Sequence, residues 1–356
     1  MKVYVYAIAK NEEQFAARWM RSMAEADGVY VLDTGSTDRT AARLRELGAH
    51  VRERVIEPWR FDSARNASME LVPGDGEILV CTDLDEILLP GWRRALEAAW
   101  RPECTTALYE YVWSFGPDGS DGVKYLYEKV HRPGVCRWTH PVHEVLEYRV
   151  PKVCCHVPGM RLEHHPDPAK SRADYLRLLE LSVAEAPEDD RNRHYLGREY
   201  MFRGRWDDAI RTFREHLAMP TAVWAPERAA SMRFLARCLL ARGEREAAEL
   251  WLLRAAFEAP GQREPLVDLA RLMADQSRWR ECERYCRLAL DIGRRDLAYT
   301  TEPEAWGALP WDLLGLACWR QGERTWAVNC ARQALALEPE NQRLRRNLAL
   351  MEAQEP

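Results

Sequence analysis

A chain of 356 residues with 47% hydrophobic side chains is too long for one typical core, and its 14 Trp and 13 Tyr exclude a disordered chain. Against 56 Asp and Glu stand 51 Lys and Arg, a formal charge of −5, which excludes the basic field that a nucleic-acid backbone requires. No apolar run approaches the roughly 18–20 residues that cross a bilayer, so no integral membrane segment is expected.

In chain order, residues 3–9 read as a strand that runs into Lys10, Asn11, Glu12 and Glu13. No small-residue cleavage site follows it, so it predicts a first strand and no export signal. Residues 29–33, 49–55 and 78–83 are further short apolar or β-branched runs, separated by amphipathic stretches at 12–26 and 39–48. Strand and helix in alternation predict a doubly wound parallel sheet, with ligands at the carboxyl ends of the strands. Past Arg101 the runs at 107–115, 125–131, 142–148 and 160–164 read as antiparallel strands, and the α/β domain is expected over 1–170. The ten cysteines include no CxxC pair, which argues against a zinc knuckle or a thioredoxin-like motif and for reduced, mostly buried thiols in a cytoplasmic protein.

Residues 171–356 are helical and repetitive. Gly197, Tyr200, Ala209 and Phe213 stand at offsets 0, 3, 12 and 16, and Ala236, Leu239, Ala248 and Leu252 repeat them. Ala270, Met273, Cys282 and Cys286 do so again, followed by Gly315, Cys318, Ala327 and Ala331. Small residues at the first and third offsets let paired helices approach, which is the tetratricopeptide pattern with its period of about 34. The observed spacings of 39, 34 and 45 residues predict insertions at two junctions. A concave repeat surface suits a peptide or protein acceptor, or self-association into a homo-oligomer.

Residues 78–86 read ILVCTDLDE, an apolar strand ending in acid. If the chain stays extended, Asp83 and Asp85 share one face and Leu84 takes the other. Two carboxylates held so close repel, and a divalent cation lets both ionise. A few hard oxygen ligands suit Mg2+ or Mn2+ that is also bound by substrate phosphates. Asp33 ends the second strand, where its carboxylate can accept from a base N–H or a ribose hydroxyl, ahead of the tight turn at 34–38. One of Ser36, Thr37 or Asp38 is expected to cap the next helix. Asp62, Arg65 and Asn66 share a helical face; Arg65 can meet a diphosphate, while an Asp62–Arg65 surface ion pair is the plainer alternative. Ala9, Lys10 and Asn11 lie at the mouth of the first strand and are candidates for the same pocket.

The succession AIAKNEE, VLDTGSTDRT, WRFDSARNASME, VCTDLDE and a later Val-His-Glu resembles GT-A glycosyltransferases of the family-two type, particularly members with a C-terminal tetratricopeptide domain, some of them similar to bacteriocin S-glycosyltransferases. That resemblance spans roughly residues 1–165. It implies a Rossmann-like GT-A domain, a nucleotide-diphospho-sugar donor (a UDP- or GDP-sugar), a divalent metal (Mn2+ or Mg2+) and inversion at the anomeric carbon. It puts Asp33 beside the nucleobase and Leu84 among the donor-binding residues, with the metal held by Asp85, Asp83 and a later histidine. His164 follows an apolar residue at i−2 as in the family, with His165 and His156 as the other options. Within WTHPVHEVLE, Glu144 is the candidate base, with His143 beside it and His140 close by. From other classes, a non-catalytic repeat scaffold, a saccharide-acceptor enzyme that oligomerises through its repeats, and a nucleotidyltransferase compete; the last lacks its usual Gly-rich phosphate loop.

Overall fold

The computed structural model describes residues 1–116, 118–167 and 175–354. Two compact units divide at Glu185 and Ala186; the boundary expected at 170/171 lies outside the described residues.

In the first unit, strands β1 (Val3–Ala9), β2 (Gly28–Asp33), β3 (His50–Glu53) and β4 (Ile78–Cys81) alternate with helices α1 (Glu13–Ser22), α2 (Thr40–Glu46) and α3 (Phe61–Met69). Then follow β5 (Glu86–Leu88), α4 (Trp92–Ala99), β6 (Thr106–Val112), β7 (Lys124–His131), β8 (Cys136–Thr139), β9 (Val145–Tyr148), β10 (Cys154–His164) and α5 (Tyr175–Glu185). β1 is buried along its whole length, as a central strand covered on both faces must be. Its alternate residues serve different cores. Val3, Val5, Ala7 and Ala9 pack with Ala16 and Trp19 of α1, whereas Tyr4 and Tyr6 face Trp138 and Leu146, the period-2 division of a sheet between two layers.

The main sheet runs β3-β2-β1-β4-β7-β6-β10-β5. Its first four strands are parallel, so Ala9, Asp33 and Cys81 all end at one edge. Beyond β4 the expected antiparallel run holds only in part. β7 is antiparallel to both β4 and β6, but β10 is parallel to β6, and β9 leaves the main sheet to pair with β8. The short β5 is an element that the sequence pattern did not suggest; it pairs antiparallel with the end of β10 and places Glu86 opposite His164.

The second unit holds α6 (Asp190–Phe202), α7 (Trp206–Ala218), α8 (Ala225–Ala241), α9 (Arg245–Glu258), α10 (Glu264–Asp275), α11 (Trp279–Asp291), α12 (Leu309–Arg320), α13 (Arg324–Leu337) and α14 (Gln342–Glu352). Each offset pattern falls on one helix pair, α6/α7, α8/α9, α10/α11 and α12/α13. The small positions Ala209, Ala236, Ala248, Ala270, Cys282, Cys318 and Ala327 are wholly buried. Gly197 shows why: a Cβ there would stand 2.6 Å from the Phe213 ring. The 45-residue spacing is an insertion between α11 and α12 that includes the short 3-10 turn Pro303–Trp306. All ten cysteines are unpaired, and only Cys154 is exposed. No helix among the described residues is long and apolar enough to cross a membrane.

Candidate active site

The loops after β1 and β2 are stitched together. Thr34 N and Oγ1 both donate to Ala9 O, at 2.9 and 3.1 Å. Asn11, at a left-handed φ of 54°, accepts from Thr37 N at 2.7 Å and donates its own N–H to Ser36 Oγ at 2.9 Å. Asp33 is buried. Its Oδ1 accepts from Gly35 N and Ser36 N, while Oδ2 is buried with no hydrogen-bond partner. A buried carboxylate oxygen without a donor is costly, and a ligand N–H or hydroxyl meets that need. Lys10 is exposed at the same edge. Of Ser36, Thr37 and Asp38, it is Asp38 that serves the start of α2, accepting from Thr40 N at 2.9 Å, although Arg39 stands at the cap position itself.

The acidic segment is a turn and does not stay extended: Glu86 N donates to Asp83 O at 3.0 Å, and Asp83 N donates to Glu86 Oε2 at 2.8 Å. Asp83 therefore does not rely on a metal for compensation. Arg65 reaches Oδ1 at 2.8 Å and Lys129 reaches Oδ2 at 2.9 Å. Although burial opposes ionisation of Asp83, these two cations hold its carboxyl far below the usual range. Glu86, wholly buried, accepts from Tyr111 Oη at 2.8 Å and Lys129 Nζ at 3.3 Å, and burial pushes its pKa up. Leu84 lies in the hydrophobic core, so any contact it makes with a donor goes through its backbone.

Asp85 has a different neighbour. Its Oδ2 is 3.4 Å from His164 Nε2, across the β5–β10 pairing. The His164 ring stacks on Trp113 at 4.2 Å, and its Nδ1 lies 3.1 Å from Trp113 O. A carbonyl only accepts, so Nδ1 carries the proton and a neutral His164 turns a bare Nε2 toward a carboxylate. Two lone pairs so placed call for a proton or a cation between them. Burial disfavours protonating His164, but the Asp85 hydrogen bond and charge outweigh it and raise its pKa. A histidine fixed through its second nitrogen by a carbonyl is also the usual support of a metal ligand, and one carboxylate with one imidazole fits a cation whose other ligands are phosphate oxygens and water. Among the described residues, the ligand atoms of Asp83, Asp85 and His164 do not all converge within 4.8 Å. His165 instead stacks on Phe115 and contacts Glu163 at 3.2 Å, and His156 is exposed elsewhere on β10.

The connection from β8 to β9 carries strain. His140 and His143 adopt φ of 77° and 51°, uncommon for residues with a Cβ and concentrated at functional loops. His143 meets the Tyr175 ring edge-on. Glu144 accepts through Oε1 from Arg65 Nε, and Asn66 fastens the loop by bonding Trp138 N and O, both at 2.9 Å. Arg65 is buried; it joins Glu144, Asp83 and Cys81 and lies over the Trp138 ring at 5.3 Å. The Asp62–Arg65 pair does not form, because Asp62 is taken by Arg60 at 2.8 and 3.0 Å. Sequence reasoning missed Lys129, Glu86 and Trp113. A lysine between Glu128 and Val130 within the strand-like run 125–131 was the available signal for the first.

Residues 4–152 match the family Glycosyl transferase family 2, and residues 196–263 match Tetratricopeptide repeat. A TPR repeat-containing protein of Synechococcus elongatus is 27% identical over 207 residues, covering 53% of this chain and 49% of that protein. The chain thus spans about half the length of the curated relative it matches. Solved structures similar to it include yeast Tom70 (16% identity, TM-score 0.41, covering 52% of this chain and 37% of that one) and Pseudomonas aeruginosa PilF (15%, 0.40, 49% and 72%).

Proposed function

We infer that this chain, a family-two glycosyltransferase domain followed by tetratricopeptide repeats, transfers a sugar from a nucleotide-diphospho-sugar, a UDP- or GDP-sugar, to an acceptor nucleophile with inversion. The observation that carries this reading is the Asp85–His164 pair at the sheet edge where Asp33 keeps an uncommitted buried oxygen. Asp33 Oδ2 accepts from the donor's base or ribose, and the loops tied by Asn11 and Thr34 frame that nucleoside. Asp85 and His164 would hold Mn2+ or Mg2+, which would offset the charge that grows on the departing nucleoside diphosphate. Lys129 and Arg65 keep Asp83 ionised and in place, so that the turn presents Asp85 in one geometry. Arg65 also holds Glu144 through one oxygen, leaving Oε2 to draw the proton from the acceptor as it attacks; an acceptor thiol, partly ionised already, asks less of it.

The acceptor is a peptide or protein held by the repeats, and the ten unpaired cysteines support a reducing, cytoplasmic setting. The test is release of free sugar from a panel of UDP- and GDP-sugars with Mn2+ and no acceptor. One donor turns over slowly, EDTA stops it, and Asp85→Ala abolishes it. Silence across the panel, with no nucleotide binding by calorimetry, overturns the assignment in favour of a repeat scaffold.

A further inference from the structure

A second constellation lies wholly within the repeats and serves no part of the transfer reaction. Asp190 is the first residue of α6, His216 is in the last turn of α7, and Glu227 is in the first turn of α8. One ligand atom from each lies within 4.8 Å of the other two. His216 is wholly buried and Glu227 is 3% exposed, so this is no solvated acidic face. No lysine or arginine serves either carboxylate among the described residues: the ion pair of Glu227 is to His216, with Nε2 3.3 Å from Oε1, and Asp190 has none.

His216 supplies the independent observation. Its Nδ1 is buried without a hydrogen-bond partner. If Nε2 carries the proton and donates to Glu227, Nδ1 is a buried lone pair with nothing to accept. If Nδ1 carries it, a bare Nε2 faces a carboxylate, and the Nδ1–H finds no acceptor. The Nδ1–H tautomer is the one that turns a lone pair, that of Nε2, toward the anionic oxygens, and a cation between them replaces that repulsion with two bonds. Tyr299 Oη donates to Glu227 Oε2, the kind of outer hydrogen bond that orients a ligating carboxylate.

We propose that Asp190, His216 and Glu227 form a binding site for a divalent cation of the zinc type, fastening the ends of three helices at the start of the repeat array. Imidazole nitrogen with carboxylate oxygen suits Zn2+, which takes both at about 2.0–2.2 Å in tetrahedral sites. The edge of such a tetrahedron is about 3.3–3.5 Å, and the His216–Glu227 separation of 3.3 Å already has that length. Asp190, only partly buried, has room to close on the ion and leaves a side open to water.

The full chain, stripped with EDTA and titrated with Co2+ as a spectroscopic stand-in, is expected to bind one equivalent with visible d–d absorption and without sulfur-to-metal charge transfer. That equivalent survives in Asp85→Asn, which separates it from the proposed transfer site. Asp190→Asn and Glu227→Gln each weaken Zn2+ binding about a hundredfold, and the rise in melting temperature that Zn2+ gives the wild type disappears. Asp190→Asn decides the matter if the Glu227 variant fails to fold, since Asp190 is only partly buried. No cobalt binding in Asp85→Asn, an unchanged spectrum in Asp190→Asn, or charge-transfer bands that place the ion on cysteine would each overturn the site.

Discussion

Arg65 and Arg233 are both nearly inaccessible and both gripped by two carboxylates, yet their surroundings differ. Arg233, in the repeats, meets Asp268 and Glu302 at 2.7 Å each, and Arg237 reaches the same two acids at 3.3 and 2.6 Å. Two cations face two anions, and the tie is closed. Around Arg65 and Lys129 stand Asp83, Glu86 and Glu144, with Asp85 in the same turn as Asp83 and paired to His164 at the end of β10. There the acids outnumber the permanent cations, and the backbone beside them is strained at His140 and His143. A balanced buried network holds helices together; an unbalanced one at a strand edge is fitted to receive charge from outside.

The contrast breaks or sharpens under substitution. Asp85→Ala is expected to lower the transfer rate at saturating donor about a thousandfold, while Asp268→Asn leaves the rate per folded molecule unchanged; equal losses in steady-state assays would erase the distinction. Arg65→Met should cost about 3–5 kcal/mol in urea unfolding, because it strands buried carboxylates. Arg233→Met should cost less, since Arg237 still faces both acids.

The first unit should also be the acid-sensitive one. His131 is buried against Tyr6 Oη at 2.7 Å, and burial depresses its pKa to about 4. The neutral form is favoured in the folded state, so its contribution is full above the unfolded pKa near 6.5 and is lost as pH falls toward 4, about 3 kcal/mol in all. Denaturant titrations at pH 7 and 4.5 check this, and His131→Phe should flatten the difference. The smallest effect is expected at Gly197→Ala, where the added methyl meets Phe213: about 1–3 kcal/mol of destabilisation, with sugar transfer per folded molecule unaltered.

Local pattern carried the four parallel strands and the repeat helices, because each rests on a short period in the chain: 2 for a strand, 3.6 for a helix, about 34 for a repeat pair. The edge positions of Asp33, Asp85 and His164 followed from strand ends. Pairings with no local period were hidden. Nothing near Lys129 says that β7 will lie against β4, yet that adjacency brings its ammonium to Asp83. Likewise Glu86 reads as the third acid of a run, and only the β5–β10 pairing and Tyr111 make it a buried brace. The parallel placement of β10 escaped for the same reason, since strand direction is decided by partners far away in sequence.

The bonds from Asn11 to Ser36 and Thr37, and from Thr34 to Ala9, join two loops that come from different strands. If these loops frame the donor's nucleoside as proposed, donor preference is therefore not modular at the level of one loop. An attempt to retune it by grafting residues 34–38 from another enzyme, with Asn11 left behind, would break three anchors to gain one contact; the two segments must be transplanted together, and their substitutions should prove strongly non-additive.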